Sequence, residues 1–167
     1  MRTQLEHTLL NKITDIASLK RKIAMWKFQG EKVVFSNGVF DLLHTGHITY
    51  LTKAAELGER LIIGLNTDSS VKRLKGPERP VNDQNSRALL LAALFFVDAI
   101  VLFDDDTPLN LITELQPDIL VKGADYTIDK IVGAKEVLAN GGEVKTIDFV
   151  DGFSSTSIIQ KIKGNLS

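Results

Sequence analysis

Apolar residues recur at helical spacing from Leu9 through Ile13, Ile16, Leu19 and Ile23 to Trp26, and this stripe predicts one amphipathic helix ended by Gly30. From residue 32 the rhythm changes. Short apolar runs at Lys32–Ser36, Arg60–Asn66, Ala99–Phe103, Ile119–Lys122 and Glu143–Ile147 alternate with helical stretches. Unbroken runs such as Leu61-Ile62-Ile63 suit strands covered on both faces, as in a parallel sheet between layers of helices. The helices have readable ends. Ile48, Leu51, Thr52 and Ala55 share one face of a helix that stops at Gly58, and Asn82 or Asp83 caps a long apolar helix through Ala93. Thr107-Pro108 predicts an N-cap followed by proline at the first helical position, and Gly141-Gly142 ends a helix beginning near Ile131.

Right-handed crossovers turn this βα alternation into an α/β fold: a doubly wound, Rossmann-like, five-stranded parallel sheet with helices on both faces, plus an N-terminal helix. Residues 1–29 are expected as a helical extension, its apolar stripe covering its own sheet or a second subunit, with residues 30–167 as the main domain. Ligands of such sheets bind beyond the carboxyl ends of the strands, at the point where strand order reverses.

Composition narrows the function classes. With 44% apolar residues, 25% charged residues and a net charge of -1, the chain reads as an ordinary globular domain rather than a nucleic-acid binder. The one basic run, Lys20-Arg21-Lys22, reads as a solvated helix face. No cysteine is present, which excludes thiolate catalysis and cysteine zinc sites; a metal would need oxygen ligands. Charges throughout Met1–Ile23 leave no signal-peptide core, and no apolar run matches a membrane span, so a cytoplasmic setting is expected.

The candidate chemistry follows the first strand, in Ser36-Asn37-Gly38-Val39-Phe40-Asp41-Leu42-Leu43-His44-Thr45-Gly46-His47. Two of the three histidines of the chain fall in this one turn, three residues apart at a helix start. There they share a face with free backbone N–H groups and the positive end of the helix, a place for an anion. Gly46 lets phosphate approach the backbone and Gly38 permits a tight turn. A second polar helix start, Ser154-Ser155-Thr156-Ser157, precedes Ile158, Ile159 and Ile162; alone it would read as an N-cap. Between the two lies a loop, Leu74–Val81, rich in breakers and cations. Asp68 either binds a ribose or ion or caps a short helix.

Gly38-x-Phe40-Asp41-x-x-His44-x-Gly46-His47 resembles the HxGH signature of the cytidylyltransferase-like nucleotidyltransferases, and the serine-rich segment is similar to their second phosphate motif. Further matches at Arg73-Leu74-Lys75-Gly76, Arg79-Pro80-Val81-Asn82, Asp106-Thr107-Pro108, Val121-Lys122-Gly123-Ala124-Asp125-Tyr126 and Asn140-Gly141-Gly142-Glu143-Val144 resemble the adenylyltransferase domain of ADP-heptose synthases. The resemblance runs from Gly30 to Lys163.

It implies transfer of AMP from ATP, with Mg²⁺, to D-glycero-β-D-manno-heptose 1-phosphate, giving ADP-heptose and pyrophosphate. It implies catalytic roles for His44, His47 and Lys75 and nucleotide contacts from Asn37, Gly38, Phe40, Gly46, Arg87, Ser154, Ser155 and Thr156. Asp41, Lys122, Gly123, Asp125 and Tyr126 become candidates for substrate contacts, and Arg79 a weaker cation near a phosphate. Lys122 suits a surface ion pair equally well. Relatives often carry the domain behind a sugar kinase, so a separate kinase is expected as a partner in the pathway, and a homodimer is a further expectation. One rival is a cytidylyltransferase acting on glycerol 3-phosphate or phosphoethanolamine; Phe149, where that branch usually has arginine, argues against it. The other is a non-catalytic nucleotide-binding or regulatory α/β domain of the flavodoxin-like kind, against which both histidines and the second phosphate motif argue.

Overall fold

The computed structural model describes residues 4–124, 127–148 and 152–164. Helices α1 (Leu5–Leu10) and α2 (Ile16–Phe28) precede β1 (Val33–Gly38), α3 (Thr45–Ala55), β2 (Arg60–Asn66), α4 (Asp68–Lys75) and α5 (Gln84–Ala92). Then come β3 (Ala99–Phe103), α6 (Leu109–Leu115), β4 (Ile119–Gly123), a 3₁₀ turn (Ile128–Lys130), α7 (Ala134–Ala139), β5 (Glu143–Ile147) and α8 (Ser155–Gly164). All five strands are parallel, in the order β3-β2-β1-β4-β5. This is the doubly wound α/β sheet expected from the sequence, and the order reverses between β1 and β4.

Successive strand residues point to opposite faces, so the sheet feeds two cores. Phe35, Ile62, Val101 and Leu120 pack with Leu19, Ile23 and Trp26 of α2, with Leu111, Ile112 and Leu115 of α6, and with Val137 of α7. Val34, Ile63, Ile100 and Val121 pack on the other side with Tyr50, Leu51 and Ala54 of α3 and with Ala88, Leu91 and Ala92 of α5. Each fully buried large side chain contributes roughly 1.5–3 kcal/mol relative to exposure.

The expected single N-terminal helix is two helices. Lys12–Thr14 runs instead along the outer edge of β3: Ile13 bridges Ile100, the Ile100 N–H donates to the Lys12 carbonyl at 2.7 Å, and the Thr14 N–H donates to the Ile100 carbonyl at 2.9 Å. Asp15 then starts α2, accepting from the Ser18 N–H at 2.8 Å. The stripe looked continuous because its two halves serve opposite faces of the sheet. Leu9 and Ile13 join the α3/α5 side, whereas Leu19, Ile23 and Trp26 join the other.

Two element ends and one helix face also differ from expectation. Pro108, rather than Thr107, occupies the N-cap of α6. A 3₁₀ turn fills the segment before Ile131, and α7 starts only at Ala134. The buried face of α3 is Gly46, Tyr50, Leu51 and Ala54, one residue out of phase with Ile48, Thr52 and Ala55, which are half-buried.

Strand pairing opens the site. β1 keeps register with β2 along its whole length, from Val33↔Arg60 to Gly38↔Leu65, but pairs with β4 only at Val34↔Ile119 and Phe35↔Leu120. Beyond Phe35 the two central strands therefore part. The Tyr50 hydroxyl sits in the gap, 2.9 Å from Ser36 Oγ and donating to the Val121 carbonyl at 3.1 Å.

Candidate active site

Past this gap the chain turns sharply. Phe40 adopts φ +44, a conformation that costs a side chain of this size energy and persists only where neighbours hold it. The left-handed residue of the tight turn expected around Gly38 is Phe40. Gly38 is needed for another reason, because a Cβ there would lie 3.0 Å from the Phe40 ring folded over it.

Two buried charges hold the turn. Asp41, 1% exposed, accepts from Arg79 Nε at 2.6 Å and from the backbone N–H groups of Val81 and Asn82 at 2.8 and 3.0 Å, tying the loop after α4 to the turn after β1. Arg87, fully buried on α5, donates to the Val39 carbonyl at 2.7 Å, the Asn82 carbonyl at 3.0 Å and Asp68 Oδ1 at 2.7 Å. Arg87 is accordingly not a cation facing the cleft, as expected from sequence, but a brace behind it. Asp68 is neither cap nor free ligand. Thr67 caps α4 by accepting from the Ser70 N–H, and Asp68 pairs with Arg87.

His44 is the N-cap of α3, its Nδ1 facing the His47 N–H at 3.4 Å. The two imidazoles stack with centroids 3.8 Å apart and planes 20° from parallel; Phe40 packs edge-on to His47 and Phe153 lies over the outer face of His44. Gly46 makes this column possible, since a Cβ would come within 3.0 Å of His44 Nδ1 and 3.1 Å of Phe153 Cβ. Burial pushes His44 below its usual range. Burial, the adjacent His44 and the Lys75 ammonium push His47 further, down to about 4, against an opposing interaction with the Leu42 carbonyl. Both rings are therefore neutral near pH 7 while no anion faces them.

The second helix start meets the first. Ser155 Oγ donates to the Leu42 carbonyl at 3.1 Å, and Ser154 Oγ caps α8 by accepting from the Ser157 N–H at 3.0 Å. Thr156 is exposed and away from the cleft.

Between these parts lies a cleft of about 340 Å³ lined by Asn37, Gly38, Phe40, Asp41, His47, Lys75, Lys122, Gly123 and Ser155. Of the sequence-derived residues, His44, Gly46, Arg87, Ser154 and Thr156 do not line it; Asp125 and Tyr126 lie outside the described residues, as does Phe149. His44 and Gly46 shape the wall through their contacts with His47 and Phe153. Arg79, weighted low on sequence, lines the cleft, as do Tyr50 and Asn66, which sequence reading missed. Asn66 had a signal: it is a polar residue ending an otherwise apolar strand. Tyr50 had one too, falling four residues after Gly46 and four before Ala54.

Among the described residues, the buried side-chain polar atoms with no hydrogen-bond partner are Asn37 Oδ1, His47 Nδ1 and Arg79 Nη2, and all three residues line this one cleft. Buried polar atoms are normally paired, because an unmade bond costs roughly 1–3 kcal/mol. Three such atoms around one space mark a polar ligand's place.

The profile of the cytidylyltransferase-like family matches residues 35–161. The bifunctional protein HldE of Magnetococcus marinus is 57% identical over 152 residues, which are 91% of this chain and 31% of that protein. HldE of Campylobacter fetus is 62% identical over 135 residues, 81% of this chain and 29% of that protein. The chain thus spans under a third of the length of these curated relatives. Among solved structures, a lipopolysaccharide core biosynthesis protein from Thermoplasma volcanium is 33% identical with a TM-score of 0.58, covering 72% of this chain and 98% of that one. A pantoate-β-alanine ligase from Francisella tularensis, 15% identical with a TM-score of 0.58 over 90% of this chain and 76% of that one, shares the fold.

Proposed function

This chain belongs to the cytidylyltransferase-like family, and from that premise we propose that it is an adenylyltransferase moving AMP from ATP onto a sugar 1-phosphate, D-glycero-β-D-manno-heptose 1-phosphate, with release of pyrophosphate. The observation that carries the reading is the set of unpartnered polar atoms on Asn37, His47 and Arg79 around a cleft where two helix starts meet. Identity above half to HldE proteins supports the choice of sugar over the CTP-dependent alternatives.

In this reading the triphosphate lies against the openings of α3 and α8, where backbone N–H groups and the helix dipoles favour negative charge. A phosphate oxygen of the sugar attacks the α-phosphorus in line, a P–O bond forms, and the bond to the β-phosphate oxygen breaks as pyrophosphate leaves. His44 and His47 donate to the phosphates, while Lys75 and Arg79 offset the charge that grows in the transition state. No general base is required, because the attacking phosphate is already anionic.

Mg²⁺ fits as a companion of the nucleotide. No group of three or more metal-ligating side chains occurs among the described residues, and the carboxylates of Asp41 and Asp68 are bound to arginines, so phosphate oxygens and water would hold the ion. When bound it screens the charge of the leaving group.

The reading calls for a kinase to supply the sugar 1-phosphate and for the cytoplasm as the place where ATP is met. None of the described helices is long and apolar enough to cross a membrane. A homodimer would cover the N-terminal face, where Leu5 and Leu10 are 62% and 50% exposed.

The test is pyrophosphate release from each of the four nucleoside triphosphates, with Mg²⁺ and heptose 1-phosphate in both anomers, and detection of the nucleotide sugar. Turnover with ATP and the β-anomer supports the proposal. Preference for CTP with glycerol 3-phosphate rejects it.

A further inference from the structure

The outer face of α5 is apolar where a surface helix ordinarily turns polar side chains to water. Ala88, Leu91 and Ala92 pack inward on the sheet beside the brace Arg87, while Asn85, Ser86, Leu89, Leu90 and Ala93 are exposed. Leu89 and Leu90 are 43% and 45% exposed, and Phe95, in the turn that follows, is 91% exposed. Between Asp83 and Asp98 the one charged residue is Arg87, which is fully buried. Along α5 runs a groove of about 520 Å³ lined by Leu10, Ile13, Asn85, Ser86, Ala88 and Leu89. We propose that a second copy of the chain docks on this face, the two α5 helices antiparallel about a two-fold axis at Leu90 and Phe95 of each copy seated in the groove of the other. Such a dimer is independent of the reaction assigned above.

Helix register supports that pairing. About an axis at residue 90, residue 95 of one copy lies opposite residue 85 of the other, and Asn85 lines the groove. The chain keeps to the helix nearly that far: the Ala93 N–H still donates to the Leu89 carbonyl at 3.0 Å, and the Leu94 N–H to the Leu91 carbonyl at 3.1 Å. Phe95 packs edge-on against Phe96, with centroids 5.1 Å apart, and leaves most of its ring in solvent. A protruding ring and a recess thus occur in one chain at the spacing a two-fold requires, and a second copy supplies both halves of the contact at once.

The area is sufficient. Leu10, Leu89, Leu90, Ala93 and Phe95 expose on the order of 450 Å² per copy, the size of apolar patch that is often functional. Two copies would bury about twice that, and the polar rim with Asn85 and Ser86 lifts the total past the roughly 1,000 Å² of a specific interface. An anionic membrane surface fits this face less well, because no exposed cation lies between Asp83 and Asp98 to meet it.

Sedimentation equilibrium of the full chain reads mass against concentration. The wild type should pass from 18.4 kDa toward twice that mass, with a Kd in the micromolar range for so small an interface. Phe95→Lys should weaken association at least about thirtyfold, the loss of one hot spot. Its far-ultraviolet dichroism and thermal transition should stay close to wild type, because the residue is exposed. Adding Asn85→Glu should recover part of the dimer by pairing the new charges across the axis, and the recovered association should weaken with salt. Within one copy residues 85 and 95 are about 15 Å apart along the helix, too far to pair. A wild type that stays monomeric, a dimer that survives Phe95→Lys, or a double variant that stays monomeric overturns the proposal.

Discussion

Replacing Arg87 by methionine, which is similar in length but apolar, tests whether the brace behind the cleft holds the site in shape. The side chain is 0% exposed and its three hydrogen bonds run to the Val39 carbonyl, the Asn82 carbonyl and Asp68. Methionine would leave two backbone acceptors without donors and one carboxylate without its cation. Breaking a buried ion pair costs about 3–5 kcal/mol, at the lower end here because Asp68 is 32% exposed and regains some water. A total near 4 kcal/mol against a domain stability of about 5–15 kcal/mol leaves a folded protein with little margin. For a chain of this size that corresponds to a fall in Tm of about 8–16 °C.

Function should suffer beyond stability. The Val39 carbonyl precedes the left-handed Phe40, so losing its donor frees the turn that positions Asp41 and the histidines. Pyrophosphate release measured well below the lowered Tm should still drop at least about tenfold in kcat, since misplacement of about 1 Å can cost a hundredfold. Adding Asp68→Asn to the methionine variant should cost little further, because the carboxylate has already lost its partner. A methionine variant melting within about 2 °C of wild type, far short of the loss expected from an unpaired buried charge, would refute the reasoning.

His47→Ala should lower turnover on the order of 10²-fold while melting close to wild type, as the rate assay and a thermal scan will read. Stability should depend on pH through the same residue. Its folded-state pKa, about 4, is below the usual 6.5, so the unfolded chain binds the proton first and stability is full above 6.5 and declines as pH falls toward 4. That decline is worth about 2 kcal/mol after allowance for partial solvent screening and should be missing from His47→Gln in denaturant titrations across the window. Triphosphate binding should reverse the shift by placing negative charge beside the rings, so calorimetry of ATP binding at pH 6 in buffers of different ionisation enthalpy should show proton uptake. Gly46→Ala should displace His44 and Phe153, raising KM for ATP about tenfold or more; an unchanged KM would show that the imidazole column has room to spare.

Much of this protein was legible before the coordinates. Continuous apolar runs such as Leu61-Ile62-Ile63 can be satisfied only between two covering layers, so strand number and parallel pairing followed from burial alone. The histidine turn was legible because two titratable rings at one helix start have few structural duties there. What stayed hidden depended on which partner a charge meets. Arg87 and Arg79 look alike as cations in or just after a loop rich in breakers and cations, yet one is a buried brace and the other lines the cleft with an unpaired nitrogen. The N-terminal stripe misled for a related reason, since periodicity reports that residues are buried but not which face of a sheet buries them. Gly38 and Gly46 were recognised as necessary, but the side chains that crowd them were not visible in the sequence. Their space is filled by Phe40, His44 and Phe153, side chains that fold back from elsewhere in the same turns.

The segment Lys12–Thr14 along β3 bears on how copies of this chain can meet. It occupies hydrogen-bonding groups that would otherwise template a foreign strand, and at the opposite margin β5 carries exposed Glu143 and Lys145, joined at 2.7 Å, which discourage pairing with charge. With both margins guarded, polymerisation by sheet extension is disfavoured, and trimming the first fifteen residues should bare the β3 edge and raise aggregation over that of the full chain, as light scattering will read.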